Sequence, residues 1–199
     1  MARKRTAILD AARNAFLQHG YEGTSMEGIA AAAGVSIMTL YRHAEGKDDL
    51  FAAVIESACH PEDESKTAEI AEALKKPLSD LLVFVGIMFQ QRVADKTTTA
   101  LFRAVMAETV RFPHLGELAY RGLIGSHLAV LDEFLAHRPE FAGFDDVFRR
   151  KLAGDFIDRL IGVDSFRVLL GLAGASEEVM HSRARLATTE LLEAIARRG

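Results

Sequence analysis

Cysteine occurs once in the 199 residues, at Cys59, so no intramolecular disulfide can form and the chain suits a reducing compartment. Long apolar runs are missing too. The longest, Leu81 to Phe89, falls far short of the ~20 residues that a membrane-spanning helix needs. The opening Met-Ala-Arg-Lys-Arg has the charge of a signal peptide's basic end, but Asp10, Arg13 and Asn14 interrupt the apolar stretch that should come next. A soluble, cytoplasmic protein without a membrane partner is expected.

Catalytic and metal-binding patterns are also lacking. Among His19, His43, His60, His114, His127, His137 and His181 there is no His-x3-His spacing, and a single cysteine excludes a Cys-x2-Cys clip. His60 with Asp63 and Glu64 is the one cluster, and it reads as a solvated linker. No nucleophile motif, phosphate-binding glycine loop or paired-carboxylate signature is found. The expectation is a protein that is not an enzyme and uses no metal or cofactor.

Period-two alternation, the mark of strands, is nearly absent, whereas apolar residues recur at helical spacing throughout. The four prolines, Pro61, Pro77, Pro113 and Pro139, cut the chain where helices must stop or bend. The first helix is expected from about Arg5 to His19, with Ile8, Ala12 and Phe16 on one stripe and Gly20 ending it. Thr24 and Glu27 have capping-box spacing for a second helix carrying Met26 and Ile29 inward. Ser36 caps a short third helix containing Ile37 to His43, and a fourth begins near Lys47 with Leu50, Phe51, Val54 and Ile55 facing the core. Beyond Pro61, a helix-prone stretch (63–76) leads into a nearly all-apolar helix, Leu78 to Val93, which should sit centrally. Further helices are expected over Thr97–Phe112, Leu115–His137, Asp145–Leu170 and from Ser176 onward. The fold class is all-α: a three-helix headpiece over 1–50 on a larger helical body over 51–199.

The net charge of −4 speaks mildly against nucleic acid, but it is unevenly distributed. Residues 1–51 hold six Lys/Arg and six Asp/Glu, so the remainder, with 18 against 22, carries the whole excess. A neutral headpiece binds DNA only if its cations share one face.

The informative unit is Ala31-Ala32-Ala33-Gly34-Val35-Ser36. Small side chains let two helices approach, Gly34 can adopt positive φ, Val35 plugs the core and Ser36 caps the next helix; these are the parts of a helix-turn-helix. That next helix exposes Ile37, Met38, Thr39, Arg42 and His43 and turns Leu40 inward. Lys47 is a cation at a helix N-terminus, where it opposes the macrodipole; an external anion would explain it. Tyr41, Arg42 and His43 add donors for a phosphate backbone. The basic residues Arg3, Lys4 and Arg5 read equally well as an arm that tracks the DNA backbone or enters the minor groove and as a disordered, solvated terminus.

Taken together, Arg5 through Phe16, Gly20-Tyr21, Thr24-Ser25, Ile29-Ala30, Ala33 to Ser36, Thr39 to His43 and Lys47 to Leu50 resemble the signature of TetR-family regulators over the first quarter of the chain, in register and without gaps. The resemblance implies that Ser36, Ile37, Met38 and Thr39 face the major groove, and that Thr24 or Ser25, Tyr41, His43 and Lys47 contact phosphates. Ala44 departs from the pattern, which usually has an aromatic there; looser packing between the third and fourth helices is expected. Apolar Ile37 and Met38 suit contact with thymine methyls better than bidentate guanine recognition.

In the body, Phe148, Leu152, Phe156, Leu160 and Val163 form one stripe and Met180, Ala184, Ala187, Leu191 and Ile195 another. They serve either the chain's own core or a homodimer interface; paired headpieces reading two half-sites, and the family's four-helix pairing, favour the dimer. By the same resemblance Phe84, Met88, Phe102, Met106, Tyr120, Leu123 and His127 are candidate walls of a pocket for an apolar or aromatic small-molecule effector. Glu108 and Arg111 have i,i+3 ion-pair spacing. The expected function is that of a repressor on double-stranded DNA, at a palindromic operator, released by the effector. A constitutive or partner-controlled repressor and an all-α enzyme with an incidental helix-turn-helix are the alternatives.

Overall fold

The computed structural model describes residues 2–59 and 72–198. All regular elements among them are helical: α1 (Ala2–His19), α2 (Met26–Ala32), α3 (Ile37–Tyr41), α4 (Lys47–Cys59), α5 (Leu78–Ala94), α6 (Lys96–Glu108), α7 (His114–Tyr120), a π turn (Arg121–Gly125), α8 (Ser126–Ala136), a 3-10 turn (Pro139–Phe141), α9 (Asp146–Ile161), α10 (Asp164–Leu169) and α11 (Glu177–Arg198). His60, Asp63 and Glu64, and most of the helix-prone 63–76 stretch, lie outside the described residues. The helices gather into two compact units, one formed by 1–61 with 96–123 and the other by 62–95 with 124–199.

In the first unit the predicted stripe of α1 is the buried one. Ile8, Ala12 and Phe16 are buried, as are Met26 and Ile29 of α2, Leu40 of α3 and Leu50, Phe51, Val54 and Ile55 of α4, and α1 packs against α2 and α4. Phe16 and Phe51 meet edge to face at 5.0 Å, Tyr21 and Phe51 do so at 5.6 Å, and Tyr21 meets Phe112 in a tilted contact at 5.2 Å. Such quadrupole-matched contacts add to simple area burial. Leu101, Val105, Leu115 and Ala119 bring α6 and α7 onto the same core.

In the second unit, α5 packs against α9 and α11. Close approach is possible because small residues face each other: a Cβ on Gly86 would stand 3.1 Å from both the Ala184 methyl and Leu160. Leu82, Phe89, Leu135, Phe156, Leu160 and Leu191 supply the bulk of this core. The buried Gln90 amide is fully used, donating to the carbonyls of Gly86 (3.1 Å) and Met180 (2.9 Å) and accepting from Arg183 at 3.3 Å, as a polar group inside must. Asp132 on α8 accepts from Arg149 (2.7 Å) and Arg150 (3.3 Å) of α9. Partial burial alone would raise its carboxyl pKa, but those two guanidinium groups together hold it below the usual carboxylate value.

Four expected boundaries differ. The helix placed over Thr97–Phe112 ends at Glu108, several residues before Pro113. The Leu115–His137 helix is divided by a π turn at Arg121–Gly125, where Gly122 lies so close to Ile55 that a Cβ would sit 2.6 Å from its Cγ2. The long Asp145–Leu170 helix stops at Ile161, because Gly162 takes φ 55° and redirects the chain into α10. At the other end α1 starts at Ala2, so Arg3, Lys4 and Arg5 are exposed in its first turn rather than forming a separate arm.

Candidate nucleic-acid interface

The α2–α3 pair is assembled by backbone chemistry visible in its residues. Ser25 is the N-cap of α2, its Oγ accepting from the Gly28 N–H at 3.1 Å. This corrects the Thr24 cap expected from the capping box: Thr24 is buried, and its hydroxyl donates back to the Gly20 carbonyl at 2.7 Å. At the far end Gly34 has φ 65°, and the N–H groups of Gly34 and Val35 close onto the carbonyls of Ala31 (3.1 Å) and Ala30 (3.0 Å), satisfying the helix terminus. Ser36 then caps α3, accepting from the Thr39 N–H at 3.2 Å while its hydroxyl also bonds the Thr39 hydroxyl at 2.9 Å.

Helix α3 has five residues, of which Leu40 alone is buried. It anchors the helix and turns the remaining side chains outward. Met38 is 67% exposed and Tyr41 48%, Arg42 is exposed, and Ile37, Thr39 and His43 are half-buried. Ser25 and Ser36 are exposed, while Ala44 is buried. The face expected to read DNA is therefore open to solvent over Ser36–His43, with two hydroxyls, a phenol, a guanidinium and an imidazole around an apolar centre.

Lys47 is held by the protein's own backbone in this structure. Its ammonium donates to the carbonyls of Tyr21 (2.8 Å) and Thr24 (3.1 Å), lies 3.5 Å from that of Glu22, and stands 4.4 Å from the centre of the Tyr21 ring. The partial negative charge that justifies a cation here comes from the protein's own backbone. The expected Glu108–Arg111 pair is redirected. Arg111 forms a two-pronged bridge to Glu22, with one N–O distance of 2.6 Å, and Glu108 accepts the Tyr21 N–H at 3.1 Å. Asp48 accepts from the Tyr21 hydroxyl and faces His114 Nε2 at 3.3 Å. Sequence spacing points to none of these partners. Residues 108–114 lie almost ninety positions from the turn they hold, and local spacing carries no signal at that range.

The other candidates are divided between the two units. In the second unit Phe84 and Met88 stand half-buried, one helical turn apart on α5, and His127 meets Phe89 edge to face at 5.1 Å. In the first unit Leu123 is buried, Phe102 half-buried, and Met106 and Tyr120 are exposed. A cavity of about 20 Å³ in the second unit, lined by Gln90, Leu160, Val168, Met180 and Arg183 among others, includes none of them and is the size of one water. Of the residues expected at a dimer interface, Leu152, Phe156, Leu160, Ala184, Ala187 and Leu191 are buried in the unit's own core, Phe148, Met180 and Ile195 are half-buried, and Val163 is exposed. Among the described residues no group of three or more His, Cys, Asp or Glu could hold a metal, and no helix is long and apolar enough to cross a membrane.

Two helices crossing at a glycine turn, the second short, capped and outward-facing, define a helix-turn-helix headpiece. Residues 8–54 match the sequence profile of the bacterial regulatory proteins of the tetR family, and 80–140 match the C-terminal domain of AefR-like transcriptional repressors. The chain belongs to the TetR family. It is 44% identical over 52 residues to the HTH-type transcriptional repressor ComR of Escherichia coli K12, covering 26% of this chain and 25% of that one. It is 30% identical over 138 residues to the regulator UidR of the same strain, covering 67% and 63%. The alignments thus span from a quarter to just under two thirds of these relatives. Among solved structures, the flavonoid-responsive regulator FrrA matches with a TM-score of 0.68 and 28% identity over 98% of this chain and 97% of that one. A TetR transcriptional regulator from Agrobacterium tumefaciens matches with 0.65 and 22% identity over 98% and 94%, which shows the shared fold.

Proposed function

We propose that this protein is a homodimeric transcriptional repressor that inserts α3 into the major groove of a roughly palindromic operator and leaves it when a small aromatic molecule binds the helical body. The observation that carries this reading is the open face of α3: Ile37, Met38 and Thr39 project from a helix whose buried Leu40 holds it against the headpiece. Ile37 and Met38 offer apolar surface to thymine methyls, and Thr39 and Ser36 offer hydroxyls to base edges. Ser25, Tyr41, Arg42 and His43 flank that face with donors for phosphates, which take about half or more of protein–DNA hydrogen bonds. Two copies related by a twofold axis would read half-sites a whole number of helical turns apart.

The effector class rests on composition and kinship. Phe84, Met88 and His127 supply polarisable surface for a flat ring system, and FrrA, the related regulator, is described as flavonoid-responsive. Release requires the ligand to favour one conformation by ~5.5 kcal/mol to pass from nearly all to almost none competent.

Selection of bound duplexes from a random library by purified protein tests the proposal. The expected product is a family of inverted repeats rich in thymine at the contacted positions, and replacing those thymines by uracil weakens binding. Absence of enrichment at low ionic strength, with the protein folded, refutes DNA recognition. Enrichment of a single unrepeated site refutes the dimeric arrangement.

A further inference from the structure

The turn joining α1 to α2 is gripped from two sides by groups of opposite charge. On one side is the Lys47 ammonium, which has three N–H donors and the carbonyls of Tyr21, Glu22 and Thr24 within 3.5 Å. It is half-buried and lies against the Tyr21 ring. On the other side is the carboxylate of Glu108, at the end of α6, accepting the Tyr21 N–H. That carboxylate takes up the space beside Gly20: a Cβ there would meet Oε1 at 2.5 Å, so a side chain would have to push it aside. A cation thus takes the turn's carbonyls and an anion takes one of its N–H groups, the pairing that backbone dipoles demand.

The turn matters because α2 begins directly after it, at the Ser25 cap, and α2 in turn packs against α3. We propose that Lys47 and Glu108 are positioning residues for DNA binding, which act on the duplex through the Tyr21–Thr24 turn by fixing how α2 and α3 leave α1. The proposal rests on the DNA-binding reading above. It separates two roles that a loss of affinity alone would confuse. A lysine that neutralises a phosphate releases counterions, so its removal lowers the salt dependence of binding by about one unit of slope. A lysine that shapes the headpiece lowers affinity and leaves the slope unchanged.

The experiment compares wild type with Lys47→Ala, Glu108→Ala and Glu108→Gln. Each is titrated with a duplex that wild type recovers from a random library, over a range of salt, while amide exchange is followed at Tyr21. Glu108→Ala, which loses one charge-assisted hydrogen bond, is expected to bind roughly tenfold more weakly, and Lys47→Ala, which loses at least two, no less weakly, both with the wild-type salt slope. Glu108→Gln keeps the Oε1 acceptor and stays within about threefold of wild type. The Tyr21 amide is protected in wild type and exchanges faster in both alanine variants. A slope lowered by about one in Lys47→Ala, or unaltered affinity in both alanine variants, overturns the proposal. So does a freely exchanging Tyr21 amide in wild type, a reading that survives even where a variant fails to fold. Recovery of no duplex by wild type refutes the DNA-binding reading and with it the positioning role; protection at Tyr21 then still reports whether the grip itself exists.

Discussion

Gly20 and Gly34 both adopt the left-handed backbone, with φ of 69° and 65°, yet they answer to different demands. Around Gly34 there is open space within 4 Å of where a Cβ would be, so only the conformation calls for glycine. At Gly20 the same strain is joined by the Glu108 carboxylate, which occupies the place of the side chain. Gly34→Ala should therefore cost about 1–2 kcal/mol, the penalty of a left-handed alanine. Gly20→Ala should cost more, because it also displaces the acceptor of the Tyr21 N–H. Urea denaturation of the two variants measures the difference, and equal costs would contradict the close approach of Glu108. At this scale much is legible in the sequence: Gly20 and Gly34 both stand where a helix has to end. The second duty of Gly20 is not legible, because its cause is 88 positions further along the chain. Lys47 reads as the ligand of an external anion for a sound reason, a cation at a helix start. The carbonyls that answer its charge lie more than twenty residues upstream, in a turn that sequence spacing does not bring to it.

Among the elements, α3 is the clearest case of a helix that cannot stand alone. Five residues are far below the length at which an isolated helix persists in water. Its survival rests on the Ser36 cap and on burial of Leu40. Ser36→Ala should destabilise the protein by about 1 kcal/mol. Leu40→Ala, which empties a fully buried site, should cost roughly 2–5 kcal/mol. Thermal or denaturant unfolding checks both values. DNA binding, measured well below the transition, should fall more for Leu40→Ala, since the recognition surface loses its anchor; intact affinity there would show that α3 is held by something else. Spacing alone assigns Ser36 and Leu40 these parts, and both hold them. Spacing errs by one residue at the preceding helix, where Thr24 and Ser25 both carry a hydroxyl. Only the path of the chain decides between them: Thr24 is turned back to Gly20, leaving Ser25 in the extended cap conformation with φ −115° and ψ 152°. The break at Gly162 and the π turn at Arg121–Gly125 escape a sequence reading for a related reason. Glycine inside an apolar stripe is compatible with a continuous helix until tertiary packing makes use of it.

For the whole molecule, the question is which side of α9 and α11 a second copy would meet. Two apolar stripes are present, and periodicity cannot say whether a stripe faces its own core or a partner. The structure places Leu191 in the core at 3% exposure and leaves Leu186 of the same helix 53% exposed. Val179 lies two helical turns before Leu186 on that outward face, and beyond α9 the apolar residues Val163, Phe166 and Leu170 are also exposed. Apolar residues of this size left in solvent mark the surface through which we propose that the dimer forms. Position decides what the same substitution does. Leu191→Glu buries an unpaired charge and should prevent folding, read as lost helical circular dichroism. Leu186→Glu keeps its charge in solvent in the isolated chain and should leave the fold intact while separating the copies, read by sedimentation. A folded Leu186→Glu monomer should then bind a single half-site weakly and lose its preference for the inverted repeat, because two headpieces are no longer joined to each other. A folded Leu186→Glu protein that still sediments as a dimer would move the interface away from the outward face of α11, to the exposed apolar residues of 163–170.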